Sequence, residues 1–160
     1  METPVPSSAK DTLRAIKILF YAIAAGLVMF ALIVFGLSFF QKPPLTNKVI
    51  SRIFIVAVLF LVIICFLVGS RLYKKKMVAA QSPALALKDK LDIYRSALTS
   101  YLAFYEGAGL FTVIGFFLTG STELLAFVVI IVAAMFQKQP EKLRIFNELQ
   151  LSSAEQSELN

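Results

Sequence analysis

The chain has 160 residues, of which 58% are hydrophobic and only 16% are charged. Its mean hydropathy of +0.78 also exceeds that of soluble domains, in which roughly half of the residues are apolar. The charges lie between long apolar runs. The formal net charge of +6 therefore indicates basic residues that flank membrane spans, not a surface that binds nucleic acid. The sequence therefore predicts an all-α integral membrane protein.

Several kinds of chemistry are excluded by residue type. The chain has no His and a single cysteine, Cys65, so it can form neither an internal disulfide nor a zinc site of Cys and His ligands, and His-based acid/base catalysis is ruled out. No phosphate-binding glycine loop, dinucleotide fingerprint or nucleophile elbow occurs. We expect a protein that is not an enzyme, with no catalytic residue, metal, cofactor or nucleic-acid partner.

Four apolar segments predict four transmembrane helices in two hairpins. The predicted spans are residues 18–40, 53–70, 97–118 and 121–138. The fourth has 13 strongly apolar residues, Leu124–Phe136, fewer than the ~20 that cross a bilayer as a helix, so a re-entrant or tilted segment is the alternative. Residues 18–138 thus form the predicted membrane domain, between an N-terminal segment, 1–17, and a C-terminal tail, 139–160.

Short amphipathic helices are expected outside the membrane. In the tail, Leu143, Phe146 and Leu149 recur at a spacing of three residues, which predicts a helix with one apolar side. Ser152 followed by Glu155 has the spacing of a capping box, which predicts the start of another short helix.

Lys and Arg are distributed asymmetrically among the loops. The N-terminal segment, residues 71–95, the tail and Lys138 just before it carry 13 of the 16. The first hairpin loop carries Lys42, Lys48 and Arg52, and the second carries none. Because positive residues concentrate on the cytoplasmic side, we expect both termini and the middle loop to be cytoplasmic, in a bacterial inner membrane.

A basic cluster closes the second span. Its members are Arg71, Lys74, Lys75 and Lys76. Such a cluster beside a span is attracted to anionic lipids of the cytoplasmic leaflet. Membrane lipids with anionic headgroups are therefore the expected partners of these four side chains.

The most informative residue is Glu106, close to the midpoint of the predicted span 97–118. A carboxylate at membrane depth costs ~2.5–3.5 kcal/mol on insertion scales, so it indicates a functional site. Three states are open for it. Glu106 can be protonated, can accept a hydrogen bond from a hydroxyl such as that of Tyr21, Tyr101 or Thr112, or can pair with a basic group of another subunit.

Small residues surround this carboxylate. Gly107, Ala108 and Gly109 follow it, and Ala103 forms a small-xxx-small pair with Gly107. Small side chains allow the backbones of two membrane helices to come close. The pattern predicts the close approach of another backbone at Glu106, so that Glu106 lies at a helix or subunit interface.

The run from Glu106 to Gly115, EGAGLFTVIG, resembles the ion-binding helix of rotary ATPase c subunits (proteolipids). In that family a carboxylate in mid-membrane is followed by small residues, a leucine, an aromatic residue and an aliphatic run. The predicted plan of two hairpins is similar to that of the duplicated V-type proteolipids. The resemblance implies that Glu106 carries a proton or sodium ion as a ring turns.

Two functions follow from these observations. The first is a non-enzymatic subunit that self-associates or joins a larger membrane complex, with Glu106 at the contact. The alternative is a proton- or cation-translocating component, either a ring subunit or a small proton-coupled carrier, in which Glu106 is the titrating site. The two differ in whether Glu106 supports assembly or transport.

Overall fold

A computed structural model describes residues 9–43 and 47–159, so residues 1–8 of the predicted N-terminal segment lie outside the description. Within the described ranges the chain forms α-helices and no strand, which confirms the all-α class. The helices are α1 (Ala9–Ser38), α2 (Lys48–Ala80), α3 (Leu87–Thr119), α4 (Glu123–Phe136), α5 (Lys142–Leu149) and α6 (Ser153–Glu158).

Helix α3 lies at the centre of the bundle. It packs against α1, α2 and α4, and most extensively against α2, whereas α1 and α2 contact each other little. In the most apolar 18-residue stretch of α3, 50% of the residues are buried, compared with 22% in α1 and 17% in α2. The outer helices therefore present most of their apolar surface outward, and α3 supplies the contacts that join them.

Helices α1, α2 and α3 are each long and apolar enough to cross a membrane. With 30, 33 and 33 residues, they are roughly 45–50 Å long at 1.5 Å per residue, which exceeds the ~30 Å hydrocarbon core. Helix α4 has 14 residues and is about 21 Å long. Three helices thus indicate a membrane protein, and a fourth crossing at residues 121–138 stays a prediction.

The helices extend past the predicted spans at one end of the bundle. Helix α2 continues to Ala80, so the basic cluster is helical, and α3 begins at Leu87 instead of Ala97. At the other end, Gly120 closes α3 with a φ of +69°, a left-handed conformation that glycine adopts without steric cost. We call this the loop end, and we call the opposite end, where the tail packs, the tail end.

The tail packs against the tail end of the bundle through one side of α5. Ile145 and Leu149 are fully buried, whereas Leu143 is 73% exposed. The buried side of α5 therefore differs from the apolar side that the sequence predicted, which was formed by Leu143, Phe146 and Leu149. Positions four residues apart share a helix face more closely than positions six apart, and Ile145 with Leu149 form such a pair.

Glu148 of α5 joins the tail to the bundle by polar contacts. Its carboxylate accepts a hydrogen bond from the Tyr73 hydroxyl of α2 and pairs with Lys138 Nζ at 2.8 Å. Its backbone carbonyl accepts from Gln81 Nε2 at 2.9 Å. Hydrogen bonds with a charged partner are stronger than neutral ones, so Glu148 fixes α5 against the end of α2.

A second ion pair fixes α6. Lys90 of α3 is 5% exposed, and its Nζ lies 2.7 Å from Glu155 Oε1. Glu155 and Ser152 also form the predicted capping box, which is confirmed. Hydrogen bonding from Lys90, followed by that from Ser152, holds the pKa of the Glu155 carboxyl below its usual range, because both stabilise the ionised form.

We predict that Glu155→Gln loosens α6 at neutral pH, because the buried charge of Lys90 loses its partner. Replacing the charge-assisted hydrogen bond by one to a neutral amide costs ~1–1.5 kcal/mol, so amide exchange across residues 152–159 should accelerate by about tenfold. Hydrogen–deuterium exchange of the purified protein measures this. Glu141→Gln, at an exposed carboxylate of the same tail, is the matched control. Equal exchange in the two variants would contradict the assignment.

The ion pair between Lys90 and Glu155 also predicts that the stability of α6 depends on pH. The pKa of Glu155 is lower in the folded than in the unfolded chain. The stabilisation that its carboxylate gives to the fold is therefore fully present above the usual glutamate pKa of ~4.3 and is lost as the pH falls through the lower, folded value. Amide exchange in α6, corrected for the intrinsic rate, should accelerate in this acidic window in the wild type. Exchange in Glu155→Gln should lack this component.

Candidate functional site

One side of α3 is uncovered between α1 and α2, and we call it the open face of α3. Its exposed members are Ser96, Ala103, Gly107 and Ile114. Two glycines locate the neighbouring helices, since Gly109 lies against Leu27 of α1 and Gly69 of α2 lies against Phe104 and Tyr105 of α3. Since α4 also packs against α3, the open face is the side of α3 that no other helix covers within the described residues.

Glu106 lies at the edge of the open face and is half-buried. Along a helix, residues three apart are rotated by roughly 60°. Glu106 is therefore rotated by that angle from Ala103, which is exposed, and by the same angle in the other direction from Gly109, which faces α1. Its carboxyl is thus placed between α1 and the uncovered side of α3.

The carboxyl of Glu106 has no hydrogen bond or ion pair within the described residues. The three hydroxyls considered from the sequence bond elsewhere. Tyr101 donates to a carbonyl of α4 at 3.0 Å, Thr112 donates to a carbonyl one turn back in α3 at 2.7 Å, and Tyr21 accepts from Gln139. A polar group at this position is costly without a partner, so the carboxyl is available to a group from outside the described chain.

The small residues beside the carboxylate divide between two sides of α3. Ala108 and Gly109 are buried, and a Cβ on Gly109 would lie 2.6 Å from a methyl carbon of Leu27. Ala103 and Gly107 are exposed, and a Cβ on Gly107 would meet no atom within 4 Å. Within the chain, α1 therefore comes close to α3 at Gly109, while the small pair Ala103 and Gly107 faces open space.

The basic cluster of α2 also divides. Its exposed members are Arg71, Lys74 and Lys75. Lys76 is half-buried instead, and its Nζ lies 2.9 Å from the hydroxyls of both Ser96 and Ser100 of α3. Lys76 thus closes the tail-side end of the open face and joins α2 to α3, which the sequence did not predict. Headgroup contact by the three exposed cations stays a prediction.

The open face changes in character along its length. At its tail-side end it borders a cavity of about 450 Å³, whose lining residues are Leu19, Asp92, Arg95, Ser96, Thr99 and Ser100. Further along come the small pair and Glu106, and then the exposed Phe111 and Ile114. Hydroxyl and small side chains allow a second helix to pack closely and to hydrogen-bond, whereas they offer little contact to acyl chains.

Among the described residues, no group of three His, Cys, Asp or Glu side chains could hold a metal ion. The carboxyl beside the small pair of the open face is that of Glu106. That group can accept a hydrogen bond, pair with a cation from a partner or exchange a proton.

Sequence reasoning missed a tyrosine cluster at the tail end. Tyr94, Tyr101 and Tyr105 lie on the buried side of α3, together with Tyr73 of α2. The Tyr101 ring centroid is 5.6 Å from that of Tyr73 and 4.3 Å from that of Tyr105. Lys138 Nζ lies 4.5 Å from the Tyr73 centroid, close enough for a cation–π contact. The spacings of seven and four residues in α3 were the available signal, because they place side chains on one helix face.

No family model, no curated protein and no solved structure matches the chain. The resemblance to rotary ATPase c subunits therefore depends on residues 106–115 and on the predicted two-hairpin plan, and it stays a prediction.

We predict that Gly109→Ala destabilises the bundle. The added methyl group would overlap Leu27, which is fully buried, and such overpacking costs ~1–3 kcal/mol. Gly26→Ala on α1 is the matched control, because its Cβ would meet no atom within 4 Å. Thermal unfolding of the detergent-purified variants, followed by circular dichroism, should show a lower midpoint for Gly109→Ala only. Equal midpoints would contradict the close approach of α1 and α3.

Proposed function

We propose that the chain is a non-enzymatic membrane subunit that associates with another membrane helix through the open face of α3. The observation that supports this most is the outward-facing pair Ala103 and Gly107 beside Glu106, whose carboxyl has no partner among the described residues. Membrane helices associate by packing small residues and by hydrogen bonds between helices. The open face offers both to a partner.

The topology that we propose has four spans, with α4 and its flanking residues as the fourth. Residues 121–138 would extend about 27 Å as a helix. Tyr21 in the first half of α1 bonds Gln139 at the start of the tail, so the N-terminal half of α1 and the tail lie at the same end of the bundle. This end carries the excess of Lys and Arg, which favours a cytoplasmic tail end in a bacterial inner membrane.

The partner is either a second copy of this chain or another subunit of a complex. Its helix would bring a small-residue surface to Ala103 and Gly107, and a hydrogen-bond donor or a cation to Glu106. Pairing removes the cost of an isolated carboxylate in a low-dielectric setting. The interface would therefore depend on both the shape of the open face and the charge of Glu106.

A second candidate function is translocation of a proton or cation, with Glu106 as the titrating group. The half-buried carboxyl at the edge of an uncovered helix face favours it, as does the resemblance of residues 106–115 to c subunits. In this function the open face would meet a neighbouring ring subunit or a channel. Glu106 would then alternate between its protonated and ionised forms.

We predict that Gly107→Leu disrupts assembly without unfolding the chain, because its side chain would project into the space that a partner helix fills. Native mass spectrometry of the complex, extracted gently from its own membrane, should show at least about tenfold less assembled species, which corresponds to ~1.4 kcal/mol. Gly26→Leu, at an exposed glycine of α1, is the matched control and should assemble normally. Normal assembly of both variants would contradict the proposed interface.

Glu106→Gln separates the two functions, because it keeps the shape and hydrogen bonding of the side chain and removes its charge. Loss of assembly supports the subunit. Full assembly combined with loss of proton or cation flux in reconstituted vesicles supports the carrier. A variant that assembles and conducts like the wild type would contradict both.

A further inference from the structure

A basic cavity of about 250 Å³ lies at the tail end, where the first turns of α1 meet the tail. Its lining residues are Lys10, Leu13, Arg14, Lys17, Lys142 and Leu159. Four of these six side chains are cationic, and no acidic side chain is among the described residues that line the cavity. We call this site the basic cavity.

The cations converge from two distant parts of the chain. Lys10, Arg14 and Lys17 are four and three residues apart, so they share one face of α1. Lys142 is added by α5, which is docked on the bundle. Arg14, Lys17 and Lys142 have no ion pair within the described residues. Like charges at this spacing repel one another, so an anion bound among them would relieve the repulsion.

The floor of the basic cavity is apolar. Leu13 is 5% exposed and Leu159 is 1% exposed, so both are packed beneath the cations. Ile18, immediately after Lys17, is 62% exposed and begins the apolar run of α1. The basic cavity therefore lies where the polar end of α1 gives way to its apolar surface, which is the level of lipid headgroups.

Farther along the same face of α1, beyond Tyr21 and its hydrogen bond with Gln139, lies an apolar groove against α4. Its volume is about 360 Å³, and its lining residues are Val28, Ala31, Leu32, Phe35, Leu125, Val128, Val129 and Val132. Val28 is eleven residues beyond Lys17, which corresponds to about 16 Å along α1 and to nearly the same direction around it. A cationic cavity followed by an apolar groove matches a headgroup followed by an acyl chain.

We propose that the basic cavity binds the phosphate group of an anionic lipid, whose acyl chain runs along α1 toward the groove with α4. Arg14 and Lys142 approach the phosphate from two elements, and Lys17 lies at the boundary with the apolar surface. This site is distinct from the exposed cluster of Arg71, Lys74 and Lys75 on α2. It also differs from the open face of α3, so its test does not depend on the assembly proposal.

The test is binding of phosphatidylglycerol to the full chain in detergent, measured by native mass spectrometry, with phosphatidylcholine for comparison. The variant is the triple substitution Arg14→Gln, Lys17→Gln and Lys142→Gln. We expect preferential binding of phosphatidylglycerol by the wild type and at least about tenfold weaker binding by the triple variant. The single variant Lys142→Gln, at an exposed residue, should fold normally and show part of the loss.

A matched triple variant removes equal charge at the loop end, by Lys42→Gln, Lys48→Gln and Arg52→Gln. It should keep the lipid that is bound in the basic cavity. Equal losses in the two triple variants would show a diffuse charge effect and would overturn the proposal.

A competition arm distinguishes the source of the phosphate group. Millimolar inorganic phosphate should leave phosphatidylglycerol bound, because the acyl chain adds contacts that free phosphate lacks. Displacement of the lipid by inorganic phosphate would assign the basic cavity to a soluble anion and would overturn the lipid assignment. Equal binding of phosphatidylglycerol and phosphatidylcholine would overturn it as well.

Discussion

The close packing of α3 against its neighbours is the constraint on which the rest of the structure depends. Between membrane helices, apolar burial gives little driving force, so direct van der Waals contact must hold them together. Three glycines allow this contact. A Cβ on Gly109 would overlap Leu27, one on Gly115 would overlap Phe54, and one on Gly69 would be tight against Tyr105. Because these contacts occupy the other sides of α3, its remaining side is the open face.

Much of the fold follows from local sequence patterns. Apolar runs of about the length that a bilayer requires predict the three long helices, and Gly120 and Ser152 have the local chemistry of a helix end and a helix start. One sequence could not predict that Gly109 is buried while Gly107 is exposed, because this difference depends on where α1 lies. Both glycines neighbour the same carboxylate, but two positions along a helix differ by roughly 200° in direction.

The packing of the tail on the bundle could not be predicted from local patterns either, because it depends on contacts between residues that are distant in the sequence. Glu148 meets Tyr73 across 75 residues, and Lys90 meets Glu155 across 65 residues. Such pairs leave no periodic signal in the sequence. The docked tail has two consequences. It fixes the ends of α2 and α3 beside the open face, and it brings Lys142 to the cations of α1.

The most direct test of the proposed function is site-specific photocrosslinking in the native membrane. A small diazirine side chain placed at Ala103, on the open face, should crosslink to a polypeptide. The same group at Leu67, an exposed residue of α2, should give lipid adducts. Polypeptide adducts at Ala103 alone are the result that we predict. Lipid adducts alone at both positions would contradict the claim that the open face of α3 binds another membrane helix.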